Sequence, residues 1–194
     1  GNVITFGGRS LNSSEAAKYI NSPESKLFYK SSEVYGLFEA KQAINKVDKV
    51  ILVEGYTDVI SLWQSGIPNA VAPLGTALTE SQMRDLWRLT KEPVLCLDGD
   101  SAGMRAAIRA AENALPLLKP GYSLKFAFLP AGEDPDSFLR KEGKQEFNKF
   151  IDKALPLSEV IWRSLSTGDL STPERRAGLR KRLFDLGIEK GGMT

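Results

Sequence analysis

The run Val94-Leu95-Cys96-Leu97 stops abruptly at Asp98-Gly99-Asp100, and the alanine-rich stretch Ser101-Ala102-Gly103 onward follows. Four apolar residues bounded by a turn signal predict a buried strand, and the alanines predict a helix. A strand that ends in a tight acidic turn and feeds a helix is the repeating unit of an α/β sheet. Ligands bind such sheets outside the carboxyl ends of the strands. Two residues apart on extended chain, Asp98 and Asp100 point the same way. Both carboxylates are therefore expected to face one site. Crowded carboxylates at a sheet edge suit a divalent cation with oxygen ligands.

The pattern recurs. Val50-Ile51-Leu52-Val53 runs into Glu54-Gly55-Tyr56-Thr57-Asp58, and Phe126-Ala127-Phe128-Leu129 runs towards Gly132-Glu133-Asp134-Pro135-Asp136. Any one of these reads equally as a strand-to-helix turn with a capping acid. Three in succession predict that Glu54, Asp98 and Asp134 share one edge of a sheet.

The composition narrows the chemistry. There is no histidine, which excludes a Ser-His-Asp triad, a Cys-His pair and a His-ligated zinc within these residues. Metal chemistry must rest on carboxylates, which favours magnesium or manganese. The single cysteine, Cys96, lies in the predicted strand and is expected to be a small core residue. Lack of disulfide capacity fits a reducing cytoplasm. No apolar run approaches the ~20 residues that span a bilayer. The first residues, Gly1-Asn2-Val3-Ile4, carry no initiator methionine or signal peptide, so the chain is expected to be a piece of a longer protein.

Charge is unevenly spread. Residues 50–136 carry 11 Asp/Glu against 7 Lys/Arg, whereas residues 137–194 carry 12 Lys/Arg against 8 Asp/Glu. An acidic centre suits cations, and bound cations suit phosphates. The flanking lysines otherwise serve as solvated surface.

Along the chain, Val3 to Gly8 predicts a short strand entering a turn, and residues 10–31 carry no helical period. Ser31 or Ser32 is expected to cap a helix through Leu37, Phe38, Ala40 and Ile44. From Lys49 the elements alternate: strand 50–53, helix 58–64, strand 70–72 with the loop Pro73-Leu74-Gly75-Thr76, helix 80–90, strand 94–97, helix 102–115, strand 123–129. Thr79 and Gln82 form a capping box for the fourth of these elements. Trp63, Leu86 and Trp87 are expected in the core rather than as base-stacking platforms. Beyond Asp136 the strands are expected to cease, leaving helical segments 144–153, 156–165 and 173–186 and a frayed end at Gly191 to Thr194. The fold class is therefore α/β: a mostly parallel sheet flanked by helices, with a small helical appendage from about residue 145.

At this point the motifs resemble a known family. The order Glu54-Gly55-Tyr56-x-Asp58, a Gly-Thr-Ala loop, Asp98-Gly99-Asp100-x-Ala102-Gly103 and Gly132-Glu133-Asp134-Pro135-Asp136 is similar to the Toprim portion of bacterial DnaG-type primases. Gly7-Gly8-Arg9, Lys18-Tyr19-Ile20-Asn21-Ser22-Pro23-Glu24 and Tyr35-Gly36-Leu37-Phe38-Glu39-Ala40 are similar to the segment that precedes Toprim in those enzymes. The resemblance covers essentially the whole chain and implies a partial amino-terminal α+β subdomain (1–48), a Toprim domain (49–143) and a truncated helical subdomain (144–194). It implies primer synthesis on single-stranded DNA from ribonucleoside triphosphates, with two or more Mg2+ or Mn2+ ions and no zinc in this portion. It implies catalytic roles for Glu54, Asp98 and Asp100, and a metal site extended by Asp58, Asp134 and Asp136. Arg9, Lys18, Tyr19, Asn21 and Lys30 would contact nucleic acid or nucleotide. Partners would be template, RNA primer and, through a carboxyl-terminal domain not in this chain, the replicative helicase. The location would be the bacterial cytoplasm.

Other readings share the acids. A Toprim nuclease would hydrolyse phosphodiesters with the same residues. A phosphatase using Asp98 as covalent nucleophile would lack a Glu54 partner from a neighbouring strand. A non-catalytic fragment would bind metal, nucleotide or DNA without turnover.

Overall fold

The structure is a computed structural model that describes residues 3–9, 19–74 and 77–186, with Arg9 and Tyr19 described by backbone alone. Lys18, the Gly75-Thr76 turn and the end at Gly191 to Thr194 lie outside the described residues.

Two sheets form. A small hairpin pairs β1 (Gly7–Arg9) with β2 (Tyr19–Asn21), antiparallel. The main sheet contains β3 (Val34–Tyr35), β4 (Ile51–Leu52), β5 (Ala70–Pro73), β6 (Val94–Leu97), β7 (Lys125–Phe128) and β8 (Leu155–Pro156). Its order is β3-β5-β4-β6-β7-β8. The four central strands run parallel, and β3 and β8 close the edges antiparallel. Between the strands lie α1 (Leu37–Val47), α2 (Tyr56–Gln64), α3 (Glu80–Trp87) and α4 (Ser101–Ala114). After β7 come α5 (Pro135–Asp152), α6 (Leu157–Leu165) and α7 (Pro173–Asp185).

The central strands are apolar throughout because both faces are covered, as parallel sheets require. Alternate residues of β6 enter different cores. Leu95 and Leu97 join Leu52, Val71 and Phe126 beneath Ile44, Leu86, Ala107 and Ile161. Val94 and Cys96 join Ile51, Ala70 and Ala127 beneath Leu62, Phe138 and Phe147. Cys96 is 1% exposed and sits in the core as expected. Trp63 and Trp87 pack against these cores and donate their indole N–H groups to the carbonyls of Ala70 and Ser123, both at 2.9 Å.

Several expected boundaries shift. The first strand is Gly7–Arg9, because it is fixed by pairing with β2 rather than by the apolar run before it. The first helix starts at Leu37, not near Ser32. Gly36 is its N-cap at φ 77, and the residues before it form β3. Thr79 and Gln82 do form a capping box at α3. Strands do not cease at Asp136: β8 adds to the edge of β7. Two residues containing a proline carry no periodic signal, and β7 supplies the ladder that makes them a strand. Helix α5 begins at Pro135, well before the expected residue 144, and Gly143 at φ 80 kinks it near that point.

Candidate active site

The strand order places the carboxyl ends of β4, β6 and β7 side by side. Parallel pairing sets Leu52 opposite Leu95, and Leu97 opposite Phe128. The residues just beyond these pairs are the acidic turns. A cavity of about 310 Å3 opens there, with Glu54, Asp58, Asp98 and Asp134 on its wall beside Leu52, Leu95, Leu97 and Leu78. A second, adjoining hollow of about 230 Å3 is lined by Asp58, Asp134 and Asp136 with Thr57, Ser61 and Gln64. Asp58 and Asp134 border both, so the acids form one continuous rim.

Two glycines let these loops meet. A Cβ on Gly99 would stand 1.8 Å from the carbonyl oxygen of Leu129, and one on Gly103 would stand 2.1 Å from the carbonyl oxygen of Asp98. The bare backbone at Gly99 lets the β6–α4 turn lie against the end of β7. At Gly103 it lets the first turn of α4 fold back on Asp98.

Each acid is held differently. Glu54 is exposed, and its Oε1 accepts the backbone N–H of Asp98 at 3.4 Å. Asp58 Oδ2 accepts the N–H of Gly55 at 3.2 Å, closing the first turn of α2. Asp134 Oδ1 accepts from Ser137 N at 2.8 Å and caps α5. Asp136 accepts from Ser61 Oγ at 2.6 Å and pairs with Arg140. Glu133, beside them, accepts from the Ser137 hydroxyl and pairs with Lys141, which holds its carboxyl below the usual range. Ser61, Ser137, Arg140 and Lys141 were not anticipated. Arg140 has the helical spacing to Asp136 that any surface helix provides, whereas Ser61 meets Asp136 from 75 positions away and carries no sequence signal.

Asp100 does not follow the strand alternation that the sequence suggests. β6 ends at Leu97, and Asp100 is the N-cap of α4. Its Oδ1 accepts the N–H groups of Ala102 and Gly103, each at 2.8 Å. The turn, not the strand, fixes its direction, and it stands outside the residues that line the cavity.

The electrostatics identify the same convergence. Burial first, and then the negative charges of Asp98, Asp58 and Glu54, push the Cys96 thiol far above its ordinary range. The three acids thus project their field onto the end of one strand. Among the described residues, no three acids close into a ready-made metal cage. The donor set is all carboxylate oxygen, which fits a hard divalent ion such as magnesium or manganese and not a thiolate- or imidazole-bound metal.

The basic segment lies at the same end. Arg9 and Tyr19 are cross-strand partners in the hairpin. The side chain of Asn21 donates from Nδ2 to the carbonyl of Leu74 at 3.2 Å, beyond the end of β5, while its Oδ1 is buried without a hydrogen bond. Lys30 is half-buried in the loop before β3. That loop is held by Gln82, whose Nε2 donates to the carbonyls of Lys30 and Glu33 at 3.0 and 2.7 Å. Gln82 is 1% exposed, so the capping-box residue also clamps this loop.

Comparison with known proteins agrees with this geometry. Residues 48–128 match the Toprim domain family, and residues 1–41 match the amino-terminal domain of the DNA primase catalytic core. The DNA primase of Escherichia coli is 48% identical over 195 residues, covering 100% of this chain and 33% of the relative. A crystal structure of a DNA primase domain from Pseudomonas aeruginosa superposes with TM-score 0.90 at 46% identity, over 98% of this chain and 59% of that one. A DnaG primase catalytic domain bound to single-stranded DNA superposes with TM-score 0.88 at 46% identity, over 96% of this chain and 60% of that one. A parallel sheet with acids on three adjacent strand ends is therefore a Toprim domain. With the amino-terminal core segment attached, the chain belongs to the bacterial DnaG-type DNA primase family. It spans about a third of the length of its curated relatives. Among the described residues no helix is long and apolar enough to cross a membrane.

Proposed function

We propose that this chain forms the metal-binding half of a primase centre, which joins ribonucleotides on a single-stranded DNA template in the bacterial cytoplasm. The observation that carries the reading is the shared cavity of Glu54, Asp58, Asp98 and Asp134, with the primase-type hairpin docked beside it. Glu54, Asp98 and Asp134 would hold Mg2+ or Mn2+, with Asp58 and Asp136 extending the rim and Asp100 holding the α4 turn in place. Bound there, such ions would neutralise the negative charge that builds on the reacting oxygens during nucleotidyl transfer. The chain's own part is to fix the acids on three strand ends; Arg9, Lys18, Tyr19 and Lys30 would contact phosphates, while Asn21 ties their hairpin to Leu74. Such contacts set register without reading sequence. The domain limits suggested by the motifs, 1–48, 49–143 and 144–194, fit this division, although β8 ties the last to the sheet.

The competing chemistries fare less well. Glu54 does reach Asp98 from a neighbouring strand, which a phosphatase with an isolated Asp98 nucleophile does not need. A minimal nuclease has no use for the segment that matches the primase core. One gel tests all three: the chain is incubated with radiolabelled ribonucleotides, single-stranded template and manganese. Ladders of short RNA support the proposal. Template degradation would replace it with hydrolysis, and neither product with retained DNA binding would leave a binding fragment.

A further inference from the structure

Tyr56 begins α2, two residues beyond Glu54. Its hydroxyl donates to the carbonyl oxygen of Gly8, the central residue of β1. Its ring packs on Tyr35 of β3, with centroids 5.6 Å apart and planes inclined by 49°. On the hairpin side, a Cβ at Gly7 would meet two ring carbons at 3.2 Å and Asn21 Oδ1 at 3.0 Å. The glycine therefore lets the strand lie directly on the ring. The hairpin shares no ladder with the main sheet, and a two-stranded ribbon is marginal without support. Among the described residues, side-chain contacts tie it to the main body: Tyr56 to Gly8 on one side and Asn21 to Leu74 on the other.

We propose that Tyr56 is a positioning residue, which sets the distance between the acidic cleft and the hairpin that carries Arg9 and Tyr19. The inference deepens the primase reading and rests on it for the ligand, but not for the strut. The hydroxyl is committed to a backbone carbonyl, so its effect on a bound polynucleotide runs through Gly8 and the adjacent Arg9. Tyr56→Phe keeps the ring on Tyr35 and Gly7 and removes the hydroxyl that donates to Gly8. The Gly8 carbonyl is exposed and can turn to water, so the fold should survive.

The native thiol is buried, so nitroxide labels can be placed selectively on Ile20→Cys in β2 and Met104→Cys in α4, both exposed in the parent chain. Pulsed electron resonance should give one narrow distance with Tyr56 and a broadened or displaced one with Tyr56→Phe. Affinity for a single-stranded oligodeoxynucleotide, measured by fluorescence anisotropy on the unlabelled chain, should fall roughly three- to ten-fold. The manganese-dependent rise in melting temperature should stay as in the parent, because the acids are untouched. Gly7→Ala, which pushes on the ring with Tyr56 intact, should reproduce the broadening. An unchanged distance distribution in both variants overturns the proposal, as does broadening with unchanged DNA affinity. Failure of the parent chain to bind the oligonucleotide sinks the primase reading, while the distance measurement still decides the strut.

Discussion

Glu54 Oε1 accepts the backbone N–H of Asp98 at 3.4 Å, although the two residues are 44 apart in sequence. The contact joins the ends of β4 and β6 and aligns two carboxylates on one cavity wall. The neighbouring acids are fixed by other groups: Asp58 takes the Gly55 N–H, Asp134 caps α5, and Asp136 accepts from Ser61 and pairs with Arg140.

Asp98→Asn keeps the side-chain shape and removes one charge from this wall. Without metal, the variant should be as stable as the parent or more so, since repulsion among the acids is reduced. A ligand that binds only the folded state raises apparent stability. Manganese should therefore raise the melting temperature of the parent and not of the variant. Thermal melts and calorimetric titration check this, and an undiminished shift in Asp98→Asn would remove that residue from the metal site.

Asp100 caps α4, and two substitutions separate that role from metal binding. Asp100→Ala removes the N-cap of α4 and should cost about 1 kcal/mol. Asp100→Asn retains a capping oxygen and should cost little. If Asp100 also ligates metal, Asp100→Asn will weaken manganese binding at nearly unchanged stability in urea denaturation. If its role ends at the cap, manganese affinity will match the parent.

The close approaches at the two glycines are backbone contacts and cannot be relieved by a side-chain rotation. Gly99→Ala and Gly103→Ala should each destabilise the chain by about 3 kcal/mol, the upper end of overpacking costs. At Gly178, in α7, an added Cβ would meet nothing within 4 Å. Gly178→Ala should stabilise by roughly 0.5–1 kcal/mol through helix propensity. Denaturation midpoints for the three variants give the signs directly.

Lys30 is held through its backbone carbonyl, so Lys30→Ala should leave the Gln82 clamp and the fold intact. If the side chain meets a phosphate, the variant will bind single-stranded DNA more weakly and with a shallower salt dependence, by about 0.7 in the logarithmic slope for one lost contact. Equal slopes for variant and parent would make it ordinary solvated surface. Lys18→Ala is expected to behave alike.

Much of the architecture is local information. Apolar quartets running into acidic glycine turns determine three of the four parallel strands and their carboxyl edge, because a strand buried on both faces can be built only from apolar runs. The Thr79–Gln82 box determines the start of α3, because both capping groups lie within one turn. The tertiary structure alone decided the rest. β3 and β8 are strands because β5 and β7 offer them open ladders, not because of their own residues. Asp100 turns to the helix N-terminus because β6 ends at Leu97 and α4 begins directly after Asp100, which caps it. The meeting of Glu54 with Asp98, and of Tyr56 with Gly8, depends on strand order and on bare backbone at Gly7 and Gly99. Contacts between residues more than 40 positions apart have no periodicity to betray them, and only packing brings them together.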